Sequence, residues 1–135
     1  MGARKRLKAQ ERNEAKKLKA FASLNDCPTS PRKMRLVVDL IRGKEVNKAL
    51  DILQFTQKEA AKRVEKLLKS AISNWQNKNQ GARIEEAGLF VKEAYVDSAR
   101  MLKRLRPAPQ GRAYRVRKRS NHVTLVLGNL NTTVN

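Results

Sequence analysis

The apolar positions fall first into helical patterns. Between residues 30 and 42, Met34, Val37, Val38 and Ile41 recur at i, i+3, i+4 and i+7 and give one buried stripe, which Leu36 and Leu40 flank and widen. Both ends of this segment are marked. Ser30 can cap the free N–H groups of the first turn, Pro31 suits the first helical position, and Gly43 can take the left-handed conformation that ends a helix. A second, shorter helix is predicted from about Glu45 to Leu53, with Val46, Ala49, Leu50 and Leu53 on one side. Thr56 and Glu59 then have the spacing of a capping box. The helix they open carries Ala60, Ala61, Val64, Leu67, Leu68, Ala71, Ile72 and Trp75 in phase and fades near Asn77, in the polar stretch 77–81. Because Trp75 is in phase with that stripe, it reads as a core residue rather than as a stacking platform for a base.

Strand patterns occupy the remainder. Phe21–Leu24, Leu89–Val96 and Val123–Leu127 are rich in β-branched and aromatic residues, and the segment Arg106–Arg112 between the last two is dense in turn residues. Folding the chain about Pro109 brings Val96 near His122 and Phe90 near Gly128, so a hairpin forms with an apolar root and a cationic outer half. The predicted fold is therefore α+β: a three-helix body packed on a small antiparallel sheet, with a long protruding β-hairpin. Each limb has about 18 residues, and at about 3.3 Å per residue a straight arm would approach 60 Å. A lone two-stranded ribbon of that kind is not stable in water, so its surroundings must hold it. Met101, Leu102, Leu105 and Val116 lie too far out to reach the body, and Arg115, Arg117 and Arg119 share one face while Lys118 takes the other.

Charge sharpens this picture. Among 135 residues there are 31 Lys plus Arg and 12 Asp plus Glu, for a net charge of +19. Residues 1–19 carry +6, residues 20–97 only +4, and residues 98–135 carry +9 without one acid. Self-repulsion of that size is relieved by a polyanion, and nucleic acid is the natural one. The first 19 residues interleave Lys and Arg with Ala, Gln and Glu, a composition that favours helix but supplies no face to bury, as expected of a tail that orders on an anionic surface. This segment lacks the apolar stretch of a signal peptide, and no run of 18 apolar residues occurs anywhere, so no membrane span is expected. The expected setting is intracellular.

The residues of catalysis are missing. His122 is the only histidine and Cys27 the only cysteine, so neither a histidine pair nor a cysteine cage can hold a metal. The six glycines are scattered and form no phosphate loop. Cys27 and His122 would make a nucleophile and base only if the fold joined them, and Asp97 is expected near His122 at the hairpin root in a structural hydrogen bond. No enzyme, no metal and no cofactor are expected.

Several motifs together carry a resemblance. Ser30-Pro31-Arg32-Lys33-Met34-Arg35-Leu36-Val37, then Asp39-Leu40-Ile41-Arg42-Gly43-Lys44, resembles the first helix of the bacterial ribosomal large-subunit protein twenty-two family, and Ala49–Leu53 is similar to its next block. Toward the C-terminus, Lys103-Arg104, Pro107, Gly111-Arg112-Ala113, Lys118-Arg119 and Ser120–Val126 look the same, so the likeness runs unbroken over about residues 20–127. It implies a structural, cytoplasmic protein of the large ribosomal subunit that binds several domains of the large rRNA during assembly. Its hairpin would reach into the wall of the polypeptide exit tunnel. Partners would be rRNA, neighbouring large-subunit proteins and, transiently at the tip, the nascent chain, with no homo-oligomer. The resemblance assigns rRNA binding to Arg32, Lys33, Arg35, Arg42, Lys44, Arg100, Lys103, Arg104, Arg106, Arg112, Arg115, Arg117, Lys118, Arg119 and His122. It assigns the tunnel tip to Leu102, Lys103, Arg104, Pro107, Pro109, Gln110, Gly111 and Arg112, with Lys103 and Arg104 nearest the constriction. The chain departs from the family at Pro107-Ala108-Pro109-Gln110, where a basic residue often follows the first proline and another precedes the glycine.

The expected divisions are a basic extension over 1–19, a body over 20–99, the outer arm over 100–119, a returning strand over 120–128 and a tail over 129–135. Two other readings compete. An architectural DNA-binding protein would use Pro107 and Pro109 as minor-groove wedges and would dimerise through a helical face. An RNA-modifying enzyme with a docking arm would need an acid, base or cofactor site that the sequence lacks.

Overall fold

The computed structural model describes residues 3–79 and 87–129, and within them four helices and five strands alternate in one chain order. Helix α1 spans Ala3–Leu18 and strand β1 Ala20–Cys27; helices α2 (Pro31–Ile41), α3 (Val46–Phe55) and α4 (Glu59–Lys78) follow. Strands β2 (Leu89–Ser98), β3 (Leu102–Ala108), β4 (Arg112–Lys118) and β5 (Asn121–Asn129) complete the fold. β5 lies between β1 and β2 in an antiparallel three-stranded sheet, and β3 pairs with β4 in a separate two-stranded ladder. The architecture is the expected α+β body with a hairpin, joined by a fourth helix, α1, that has no buried residue.

The body is held by one apolar layer between helices and sheet. From α2 come Met34, Val37, Val38 and Ile41, all fully buried; α4 supplies Ala61, Val64, Leu68, Ala71 and Trp75, and the sheet supplies Val91, Val123 and Leu125. Alternation along the strands sends Ala20, Ala22, Ala94 and Val96 into the same layer. Truncating a residue such as Leu68 at its centre would cost about 2–5 kcal/mol.

Some helix-end expectations are corrected. Leu36 and Leu40 do not widen the buried stripe of α2; they are 57% and 45% exposed, because α2 meets its neighbours along a single line. Ser30 caps α2 with its backbone carbonyl, which accepts from the Lys33 and Met34 N–H groups, and its hydroxyl makes no cap bond. The Thr56–Glu59 box does not form: Lys58 is the N-cap of α4, and the Thr56 hydroxyl instead donates back to the Ile52 carbonyl at 2.6 Å. Gly43 does end its helix with φ +73°. Its N–H donates to the Val91 carbonyl while the Val91 N–H donates to the Lys44 carbonyl, each at 2.9 Å, which covers part of the free edge of β2.

Register at the hairpin root follows the expected fold with one adjustment. Phe90 pairs with Gly128, as folding about Pro109 requires, but an irregularity between Val91 and Glu93 then shifts the ladder, so Val96 meets Val123 and Asp97 meets His122. A second step follows at 99–101 and 119–120, where the ladder is interrupted and only the Ala99 N–H to Ser120 carbonyl bond bridges it. Beyond it the chain turns about Gln110 rather than Pro109, with Leu102 opposite Lys118 and Ala108 opposite Arg112. Gln110 and Gly111 both have positive φ, 62° and 67°, which suits a tight reversal.

Candidate nucleic-acid interface

The outer arm is an ordered seven-rung ladder whose side chains are almost all exposed. Residues directly opposite share a face. One face carries the rungs Leu102/Lys118, Arg104/Val116, Arg106/Tyr114 and Ala108/Arg112; the other carries Lys103/Arg117, Leu105/Arg115 and Pro107/Ala113. Each face thus mixes guanidinium or ammonium groups with apolar or aromatic surface. No carboxylate lies between Arg100 and Arg119, and among the described residues none of these cations is in an ion pair. Arg offers planar forks for phosphate and planes for base stacking, while Leu105 and Tyr114 can pack on riboses and bases. The second face also holds a depression of about 690 Å³ lined by Met101, Lys103, Leu105, Arg115 and Arg117, with Arg104 at its margin.

The residues named from sequence divide into distinct groups. Arg106, Pro107, Pro109, Gln110, Gly111 and Arg112 surround the turn, whereas Leu102 and Lys103 stand at the far end of the ladder, roughly 20 Å back at about 3.3 Å per residue. Arg104 lies two rungs beyond Leu102. On α2, Arg32 and Lys33 are exposed in the first turn, and Lys44 is exposed just beyond the helix. Arg35 and Arg42 are exposed as well and also bond within the fold. Arg35 Nη2 donates to the Val96 carbonyl at 3.1 Å; Arg42 donates twice to the Ala94 carbonyl, at 3.1 and 2.7 Å, and pairs with Asp39 at 2.8 Å. Both clamp α2 to β2. Arg100 and Arg119 lie within the interruption that separates arm from body.

His122 occupies a different setting. Its Nδ1 accepts the backbone N–H of Asp26 at 3.1 Å, and its Nε2 lies 4.0 Å from the Asp26 carboxylate. Asp26 is available because β1 bulges between Leu24 and Cys27, with Asp26 at φ +51°. Asp97 is opposite His122 as expected, but the hydrogen bond goes to Asp26. Cys27 faces the core, where its sulfur contacts the Thr29 hydroxyl at 3.4 Å, so the fold does not join it to His122. Among the described residues no group of His, Cys, Asp or Glu is arranged to hold a metal.

Two features escaped sequence reasoning. Along α1, Lys5, Lys8, Arg12 and Lys16 recur at helical spacing as one basic stripe, while Leu7, Glu11, Glu14 and Leu18 take the opposite side. Helical periodicity applied to cations rather than to apolar residues would have found this. Lys78 fixes the base of α1 by donating to the Lys17 and Lys19 carbonyls at 2.7 and 2.6 Å. The other feature is Asn121, fully buried at the arm root, whose amide donates to the Thr29 carbonyl and hydroxyl at 2.6 and 2.8 Å. Nothing in the sequence separates this buried asparagine from a turn residue.

The fold is an α+β body with a protruding hairpin that carries exposed cations on both faces, a surface suited to a polyanion. The sequence model of the ribosomal protein L22p/L17e family matches residues 22–128, and the chain belongs to that family of structural ribosomal proteins, not to any class of enzyme. It is 68% identical over 133 residues to the large ribosomal subunit protein uL22 of Christiangramia forsetii, a span covering 98% of each chain. Similarity to the protein of the same name from Flavobacterium johnsoniae is 66% over 133 residues, covering 98% of this chain and 97% of that one. The Bacteroides thetaiotaomicron protein is 62% identical over 128 residues, 95% of this chain and 93% of its own.

Proposed function

We propose that this chain is a cytoplasmic constituent of the large ribosomal subunit that binds and organises large-subunit rRNA during assembly, with its arm in the wall of the polypeptide exit tunnel. The observation that carries this reading is the arm: nine cations from Arg100 to Arg119, no carboxylate, and exposed apolar groups on both faces of a protruding ladder. Charge of that density on both faces suits enclosure by phosphates, not attachment along one side. Residues 20–99 act as the body that seats the arm, 120–128 return to it, and 1–19 add a second basic element. Arg32, Lys33, Arg35, Arg42 and Lys44, all exposed, extend the rRNA contact onto the body. The turn from Pro107 to Arg112 forms the extremity presented to the tunnel and the nascent chain.

The DNA-bending alternative needs a helical dimer interface, and the stripe it would use, Met34 to Ile41, is consumed inside the monomer. Sedimentation of a lysate through a sucrose gradient in high salt tests the proposal. The chain is expected at one copy per large subunit; its recovery at the top of the gradient, or with the nucleoid, would overturn it.

A further inference from the structure

The three-stranded sheet buries one face against the helices; the other, crossed at one end by Lys16 and Lys78 over the Phe21 ring at 5.8 and 5.9 Å, has no helix packed on the rest of it among the described residues. Register sets three rows across that outer face, each centred on β5: Asp26–His122–Asp97, Ser23–Thr124–Tyr95 and Phe21–Val126–Glu93. All of them except Asp26, which stands beside His122 at its margin, line a shallow depression of about 480 Å³. Three carboxylates, Asp26, Glu93 and Asp97, are spread over this face in a chain of net charge +19. On the helices of the body Asp39, Glu45, Glu59 and Glu65 are each paired with a cation one helical turn away, at 2.6–3.1 Å. Asp26, Glu93 and Asp97 have no Lys or Arg partner among the described residues, and the nearest cations, Lys16 and Lys19, stand at the α1 end of the depression.

From this we infer that the outer sheet face docks a Lys/Arg-rich polypeptide segment of a neighbouring protein. The inference rests on the ribosomal reading and names the surface that a protein partner takes. Phosphate is disfavoured there because two carboxylates flank His122 and a third lies two rows away. The groups do not converge enough to hold a cation by themselves, as the 4.0 Å gap between Asp26 and His122 illustrates. An extended basic segment satisfies all three acids, since they are spread over about three rows of the sheet and not gathered at a point. Tyr95, 44% exposed in the middle row on the edge strand β2, offers a ring for a guanidinium or ammonium group to cover. His122 then serves this protein contact through the Asp26 bulge it holds in place.

The test uses the full chain incorporated into large subunits, with photoreactive p-benzoylphenylalanine in place of Tyr95 or, in a separate variant, Thr124. After irradiation, the expected result is a dominant adduct to a Lys/Arg-rich peptide of another protein, identified by mass spectrometry of the purified subunit. Replacing Asp26→Asn and Asp97→Asn together is expected to lower the adduct yield several-fold without loss of the chain from the subunit. An adduct to rRNA, an adduct only to the chain's own α1, or no adduct from either position would overturn the inference while leaving the ribosomal reading intact. Absence of the unmodified chain from large subunits would overturn both.

Discussion

Removing three cations from one face of the arm at a time tests whether RNA encloses it. One variant replaces Arg104, Arg106 and Lys118 with Gln, and the other replaces Lys103, Arg115 and Arg117, so each removes three cations from one side of the same ladder. Each lost phosphate contact lowers the slope of log K against log salt by about 0.7–0.9, so each triple should lower it by about 2.1–2.7. Between 50 and 200 mM salt, that amounts to about 20–40-fold less loss of affinity than the unsubstituted chain suffers. The assay is binding of the full chain to large-subunit rRNA across that salt range, with far-UV circular dichroism confirming that the body keeps its helices. Equal decreases for the two triples are expected. A decrease from one triple alone would show an arm lying against RNA on a single side, and no decrease from either would refute phosphate contact by the arm.

Four other outcomes follow from the contacts. Arg42→Met removes both hydrogen bonds to the Ala94 carbonyl and should destabilise the body by about 1–3 kcal/mol in urea denaturation; an unchanged midpoint would deny the clamp on β2. Asn121→Ala strands the Thr29 carbonyl and should cost about 1–3 kcal/mol in the same assay, with no effect if Asn121 is dispensable at the arm root. Gly43→Ala places a side chain at φ +73° and should cost about 1–2 kcal/mol although nothing lies within 4 Å of the added carbon, so strain alone is measured. In the free protein, amide protons of residues 100–118 should exchange much faster than those of α4, and strong protection there would show that the arm is stable without RNA.

Sequence periodicity made most of the fold legible because burial here is one-sided. Helical spacing located α2 and α4, and the position of Trp75 in the α4 stripe placed it in the core, where the structure has it. The same reasoning overextended at Leu36 and Leu40, since an apolar residue beside a stripe looks identical whether or not a neighbour covers it. Helix starts were less legible: Thr56 satisfies the preceding helix, and a hydroxyl near a helix end can serve either side. Positively charged positions were legible as a set, but their roles were not. Whether an arginine points to solvent, as Arg32 does, or clamps a strand, as Arg42 does, depends on a carbonyl 52 residues away. The acidic outer face was invisible for a related reason: Asp26, Glu93 and Asp97 become neighbours only through two strand pairings.

Charge disfavours one of the two registers that neighbour the observed one in the arm. As paired, only one of seven rungs, Lys103/Arg117, sets two cations opposite each other. Moving the β4 limb by one residue in one direction would create Lys103/Lys118, Arg104/Arg117 and Arg106/Arg115, three such rungs, each unfavourable by about 0.2–1 kcal/mol, whereas the opposite shift would leave one, Arg104/Arg115. The interruption at the root absorbs the one-residue offset between this register and that of β2 with β5, which continued into the arm would set Arg104 opposite Arg115 instead. The Lys103/Arg117 rung is then the position where stability of the free arm and affinity for RNA conflict. Arg117→Thr should slow amide exchange in the free arm by about 1.4–5-fold, the equivalent of 0.2–1 kcal/mol. It should also reduce the salt slope of RNA binding by about 0.7–0.9. Unchanged or faster exchange would show that cross-strand repulsion does not limit the arm, and the charge account of its register would fail.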